Sequence, residues 1–228
     1  MIRTAILVDG GFYRRKMKKK RQESPEEAAN TLFQYCQRLL RSFKNEECFL
    51  YRVLYYDCKP SIKKVYHPLL KKTIDLGEAP QFQWNTAFLN ALCSKRKFAL
   101  RLGKLADEQA RYLLSPDATK DLLNGKRTVD ELTERDFSIS IKQKGVDTRI
   151  GIDIVAMSLK HQVDRIILIA GDSDFVPAAK FARREGIDMV LDPMDSPIKP
   201  ELSEHIDGLK TVIHNFSTKR LDPTDEEE

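Results

Sequence analysis

No apolar run in this 228-residue chain approaches the roughly 20 residues needed to cross a bilayer. The opening stretch, "MIRTAILVDGG", has a basic residue first, but its apolar run is short and ends in Asp9, unlike a secretory leader. The expectation is a cytoplasmic protein with no membrane partner. Cysteine is also scarce. Cys36, Cys48, Cys58 and Cys93 show no C-x-x-C spacing and no histidine beside them, which fits reduced thiols better than a disulfide framework or a zinc site. The four histidines are scattered, so a metal here would take oxygen ligands. The turn after the first apolar run lacks G-x-G-x-x-G, which argues against a dinucleotide binder. An aspartyl-nucleophile phosphatase would place a second acid two residues after the first, where Gly11 stands. An adhesion-type metal site would read D-x-S-x-S, but in "DSDFV" Asp174 replaces the first serine.

What the chain does have is charge, 32% of its residues, and enough hydrophobic residues, 41%, for a core. The net charge of +5 is unevenly spread. "RRKMKKKR" (14–21) holds seven basic residues in eight, and "KPSIKKVYHPLLKK" (59–72) and "SKRKFALRLGK" (94–104) are also basic, while "LDPTDEEE" closes the chain acidic. Basic clusters around an acidic pocket suit a polyanionic substrate. The 59–72 cluster reads as solvated surface. The 14–21 cluster follows a site loop directly, and there Arg14, Arg15, Lys16, Lys18, Lys19, Lys20 and Arg21 are expected to meet phosphates. Phe12 and Tyr13 are expected either to stack on a base or to pack beneath the loop.

Periodicity predicts strands at "TAILVD", "CFLYRVLYYD", "FALRLGKL", "RIILIAG" and "IDMVLDPM". It predicts helices in "SPEEAANTLFQYCQRLLRSF", capped by Ser24 with Pro25 first, and in "SIKKVYHPLLKKTI", "NTAFLNALCSK", "VDTRIGIDIVAMSLKHQ" and "DFVPAAKFARREG". "DFSISIKQKG" reads as a strand or loop edge. Residues 106–135 read as a polar insertion with short helices around Ser115-Pro116 and Gly125. "SEHIDGLKTVIHNF" is the last core piece, and 217–228 are expected to be disordered. Alternating strands and helices argue for an α/β fold, a mainly parallel sheet with helices on both faces, in one domain over 1–216.

In such sheets, sites form beyond the carboxyl ends of the strands. Asp9 follows "AILV" and Asp172 follows "IILIAG", so both belong to that edge. Asp174 reads as the cap of the next helix, a role that leaves Asp172 unexplained. Asp147 stands at a helix start. Asp153 shares an apolar helical stripe with Val146, Ile150 and Met157, where an unpaired acid is costly. Five converging carboxylates would repel one another without a cation. Oxygen-only ligands suit Mg²⁺ or Mn²⁺.

"ILVDGG", "KGVDTRIGIDI" and "ILIAGDSDFVPAAKFARREG" together resemble the NYN domain, a branch of the PIN-like nucleases that includes the LabA-type proteins. "LRLGKL" and "ELSEHIDGL" resemble pieces of a bacterial subgroup. The resemblance runs from about residue 1 to 216 and implies a three-layer α/β/α sandwich, PIN-like in topology, and metal-dependent RNA cleavage. By motif, Asp9, Asp147, Asp153, Asp172 and Asp174 become the catalytic and metal-binding acids, with Lys144 and Ser173 as nucleic-acid contacts. There are two departures. The asparagine that many relatives carry shortly after the first aspartate is absent from "DGGFYRRK", and Ala170 replaces the usual serine before Gly171. Two readings remain open: a metal-dependent ribonuclease acting on single-stranded or unstructured RNA, and a non-catalytic module binding RNA or protein on the same fold. Oligomeric state is not legible from the chain.

Overall fold

The computed structural model describes residues 1–18 and 23–216. The elements run β1 (Ile2–Asp9), α1 (Gly10–Lys18), α2 (Pro25–Arg41), β2 (Cys48–Cys58), β3 (Lys64–His67), β4 (Lys72–Asp75), α3 (Pro80–Cys93), β5 (Phe98–Leu105), β6 (Arg111–Leu114), α4 (Pro116–Leu123), β7 (Phe137–Ser140), β8 (Gln143–Lys144), α5 (Val146–Leu159), β9 (Arg165–Ile169), α6 (Val176–Arg184), β10 (Asp188–Asp192), α7 (Pro200–Ser203) and β11 (Gly208–Leu209). The fold is mixed α/β with a mainly parallel sheet. No described helix is long and apolar enough to cross a membrane. The chain forms two compact units, one of residues 1–57, 88–102 and 146–228, the other of 58–87 and 103–145.

In the first unit the strand order is β11-β10-β9-β1-β2-β5. β1 pairs in parallel with β2 and β9, and β10 with β9 and β11. Every residue from Thr4 to Val8 and from Arg165 to Ile169 is buried, as continuous apolar strands covered on both faces require. Helix α2 starts on a reciprocal cap. Ser24 Oγ accepts from Glu27 N at 3.3 Å, and Glu27 Oε2 accepts from Ser24 N at 2.8 Å. Its buried face runs Ala29, Leu32, Tyr35, Cys36, Leu39. From that face the Tyr35 hydroxyl donates to Asp192 Oδ2 at the end of β10, 2.5 Å away.

The amino edge of this sheet is a row of ion pairs. Arg3 donates to Asp164 from its backbone N at 2.7 Å and from its guanidinium at 2.8 and 3.1 Å. Arg165, buried and stacked over Phe43, holds Asp188 and Glu46, each at 2.5 Å. These partners keep the Asp164 and Glu46 carboxyls below their ordinary pKa.

The second unit corrects one expectation. "SIKKVYHPLLKKTI" is a β-hairpin, not a helix: β3 and β4 pair antiparallel from Lys64↔Asp75 to His67↔Lys72. The reason is visible in the pattern. Lys64 and Tyr66 face out, Val65 and His67 face in, and that period of two outweighs a helical reading that Pro68 interrupts anyway. The inward His67 ring packs on Tyr112 of β6 and Phe137 of β7, with centroids 4.3 and 5.2 Å away. β6 and β7 form a second antiparallel pair, and β8 pairs with the end of β5. The polar stretch 106–135 lies in this unit and is ordered by its own caps. Ser115 caps α4, Gly125 follows it with φ +67°, and Arg127 grips Asp136 through two 2.9 Å bonds. The expected disorder of 217–228 falls outside the described residues.

Candidate metal centre

Asp9 ends β1, half-buried, and Asp57, one residue beyond the Tyr56 that pairs with it on neighbouring β2, is buried. Helix α1 begins at once after Asp9, and Asp9 Oδ1 accepts the Phe12 N–H at 3.0 Å, satisfying a donor at the helix start. The turn is tight enough to need glycine. A side chain at Gly10 would collide with Tyr55 and the Tyr56 carbonyl. Burial raises the Asp9 pKa above the ordinary value, and the charge of Asp147 adds to this, against the Phe12 N–H and Arg15, which lower it.

After β9, Gly171 lets the chain pass over Phe12, whose ring would collide with any side chain there. Asp172 then opens a 3-10 turn, its Oδ1 accepting Asp174 N at 3.3 Å. This corrects the assignment of the cap. The acid at the cap position is Asp172, because the chain turns helical two residues earlier than a cap at Asp174 requires; Asp174 lies inside the turn. Both aspartates are exposed to solvent. Ser173 Oγ accepts from Lys199 Nζ at 3.1 Å.

Asp147, in the first turn of α5, joins the set electrostatically. Loss of surrounding water raises its pKa, and the charges of Asp172 and Asp174 raise it further. Asp147 thus feels Asp172 and Asp174, and Asp9 feels Asp147, at one edge. Asp153, farther along α5, is held by the Tyr56 hydroxyl at 2.8 Å and Arg101 Nε at 3.0 Å. That pairing explains how an acid sits in the buried stripe of Val146, Ile150 and Met157.

Among the described residues no three Asp, Glu, His or Cys side chains stand close enough to hold a metal by themselves. The four interacting acids still fit a hard cation by donor chemistry. Mg²⁺ and Mn²⁺ accept oxygen ligands, and Mg²⁺ keeps several waters while binding one or two carboxylates. Three of the four, Asp147, Asp172 and Asp174, are open to that water.

The basic run divides. Arg14 is tied to Asp57, through a short Nη1 bond and an Nη2 bond of 3.2 Å, with the Tyr55 hydroxyl donating to the same carboxylate at 3.2 Å. Arg15 is exposed, and its charge is felt at Asp9. Lys16 lies 5.9 Å from the Phe12 ring centre. Phe12 and Tyr13 are buried, Tyr13 edge-on to Tyr35, so neither ring presents a face for a base; they pack beneath the loop. Lys19, Lys20 and Arg21, and the side chain of Lys18, fall outside the described residues. Lys144 pairs with Glu108 at 3.4 Å in the second unit.

The sequence reading missed Asp57 and Asp192. Asp192 ends an apolar strand and Asp57 stands one residue from the end of another, close to the signal that singled out Asp9. Their partners, Arg14 and Tyr35, come from other elements and could not be read from either motif.

A model of the NYN domain family matches residues 96–201. No curated protein and no solved structure matches the chain. The matched stretch contains Asp147, Asp153, Asp172 and Asp174 and leaves Asp9 outside. Residues 96–201, which bring three of the four interacting acids to one edge of the sheet, are therefore the part of this chain similar to the NYN domain.

Proposed function

We propose that this chain is a metal-dependent ribonuclease of the NYN family, in its LabA-like, bacterial branch, with a PIN-like three-layer α/β/α fold. It acts in the cytoplasm on single-stranded or unstructured RNA. The observation carrying this reading is the run of like charge along the carboxyl edge, Asp147 bearing on Asp9 and Asp172 and Asp174 bearing on Asp147. The NYN match to a nuclease-type domain supports it.

Asp9, Asp147 and Asp172 would hold Mg²⁺ or Mn²⁺, directly or through water, with Asp174 beside them. Asp153 takes a supporting place, held by Tyr56 and Arg101. The metal, when bound, supplies positive charge at the scissile phosphate and makes a water more acidic than bulk. The chain does the rest. The Phe12 N–H fixes Asp9, and the Asp174 N–H fixes Asp172. Arg15 offers a cation to the phosphate flanking the cleaved bond. No histidine lies in the three acid-bearing motifs, so a proton leaving the attacking water passes to an edge carboxylate or to solvent.

Cleavage of a labelled single-stranded RNA by purified protein tests the reading. It should require Mg²⁺ or Mn²⁺, stop with chelator and disappear in Asp172→Asn. Cleavage that survives the substitution, or a wild type that binds RNA and never cuts it with any divalent metal, overturns it. The second result would favour the binding module.

A further inference from the structure

We infer that the β3–β4 hairpin of the second unit is a binding arm for single-stranded nucleic acid, with the Tyr66 ring stacking on a base and Lys71 and Lys72 meeting the adjoining phosphates. The inference rests on the ribonuclease reading for its choice of RNA as ligand.

The hairpin is built to present these groups. Its inner face is anchored by Val65 and His67, 5% and 2% exposed, with His67 packed on Tyr112 and Phe137. The ring nitrogen Nδ1 of His67 also accepts the Leu70 N–H at 3.4 Å, which fastens the turn. With the inner face fixed, alternation forces Tyr66 outward, and 57% of it is exposed. Tyr66 stands opposite Thr73, a small neighbour that leaves the ring uncovered by its cross-strand partner. Lysines flank it: Lys64 shares its face, Lys71 stands in the turn, and Lys72, opposite His67, leaves from the other face at the hairpin's end. Lys64 is engaged by Asp75 at 3.5 Å, and Lys63 lies near enough to Glu108 to lower its pKa. Among the described residues no carboxylate pairs with Lys59, Lys71 or Lys72, all of them exposed.

A lysine-rich surface alone would be solvated. The exposed aromatic among unpaired cations is what points to a ligand. Stacking on an aromatic ring plus cations along the backbone is the common means of holding single strands without reading sequence. A duplex keeps its bases stacked inside and offers the ring nothing, so the charge complement and the ring together select an unpaired strand.

The test measures binding rather than cleavage. Fluorescence anisotropy of a labelled oligouridylate is followed against salt, with the full chain in the Asp172→Asn background so that RNA stays intact. Tyr66→Ala should weaken binding about tenfold, within the range for loss of one stacked base, and Tyr66→Phe should restore it. Lys71→Gln with Lys72→Gln should flatten the salt slope by about 0.7 for each lost phosphate contact. Tyr66 is largely exposed, so an unchanged thermal midpoint will separate lost binding from lost folding. Unaltered affinity and slope in both variants, with tight binding by the parent, overturn the hairpin while leaving the ribonuclease reading intact. Equal competition by polyglutamate also overturns it, by showing a charge-only surface suited to acidic protein. Failure of the wild type to cut RNA, with the hairpin effects present, would instead count against the ribonuclease reading alone.

Discussion

At the amino edge of the first unit's sheet, Arg3 holds Asp164 and Arg165 holds both Glu46 and Asp188. At the carboxyl edge, Asp147 has Asp172, Asp174 and Asp9 for electrostatic neighbours. The same strands build both edges, so the difference does not come from the sheet. At the first edge Asp164 and Glu46 sit below their ordinary pKa because each has a guanidinium. Asp9 and Asp147 sit above it because water is reduced around them and further negative charge adds to the penalty. Ion pairs of the first kind join elements. A group of the second kind opposes folding unless a cation joins it, which is the physical case for a site there. The carboxyl edge contains its own control, since Asp57 is buried and fully engaged by Arg14 and Tyr55.

That control gives the largest expected effect. Asp57→Ala strands the Arg14 guanidinium and the Tyr55 hydroxyl and should cost about 3 kcal/mol in urea denaturation. A loss below a few tenths would place Asp57 with the unpaired acids and break the division. Arg165→Ala comes next, at roughly 2 kcal/mol, because its two carboxylate partners are partly exposed and recover water.

How much of this was legible in the sequence follows from the range over which each feature is determined. "AILV" and "IILI" announce buried strands because burial on both faces requires continuous apolar runs, and the strand ends then locate Asp9 and Asp172. Ser24-Pro25 announces α2, since a cap is decided within four residues. The hairpin was not legible. "KKVYHPLLKK" admits two periods, and only His67 packing on Tyr112 and Phe137 chooses between them. Nor could "DSD" say which acid caps, as both spacings satisfy a turn. Arg14 belonged by composition to a phosphate-binding run, but Asp57, 43 residues away, claims it. The engagement of Asp153 by Arg101 is likewise a tertiary pairing.

Smaller effects sharpen the contrast through pH. Asp147 has a folded pKa above its unfolded one, so the folded chain binds more protons, and stability falls as pH rises from about 4 through the raised value. In chelator, Asp147→Asn should remove that decline and leave stability at pH 7 unchanged or higher by roughly 0.3 kcal/mol. Asp164 has the opposite sign. Its contribution is present above about pH 4 and is lost as pH falls through its lowered folded value, so Asp164→Asn should flatten the acid limb. Denaturant midpoints taken across pH 3 to 8 read both limbs. If both variants shift the same limb, the two edges do not differ as described.

The central claim, that the carboxyl edge is short of a cation which a divalent metal provides, is met most directly by calorimetric titration of Mn²⁺ into the metal-free chain and two single variants. The account predicts saturable binding by the wild type, the same affinity in Asp164→Asn at the amino edge, and an affinity at least tenfold weaker in Asp147→Asn at the carboxyl edge. No saturable heat from the wild type, or equal Mn²⁺ affinity in Asp147→Asn and Asp164→Asn, would contradict it.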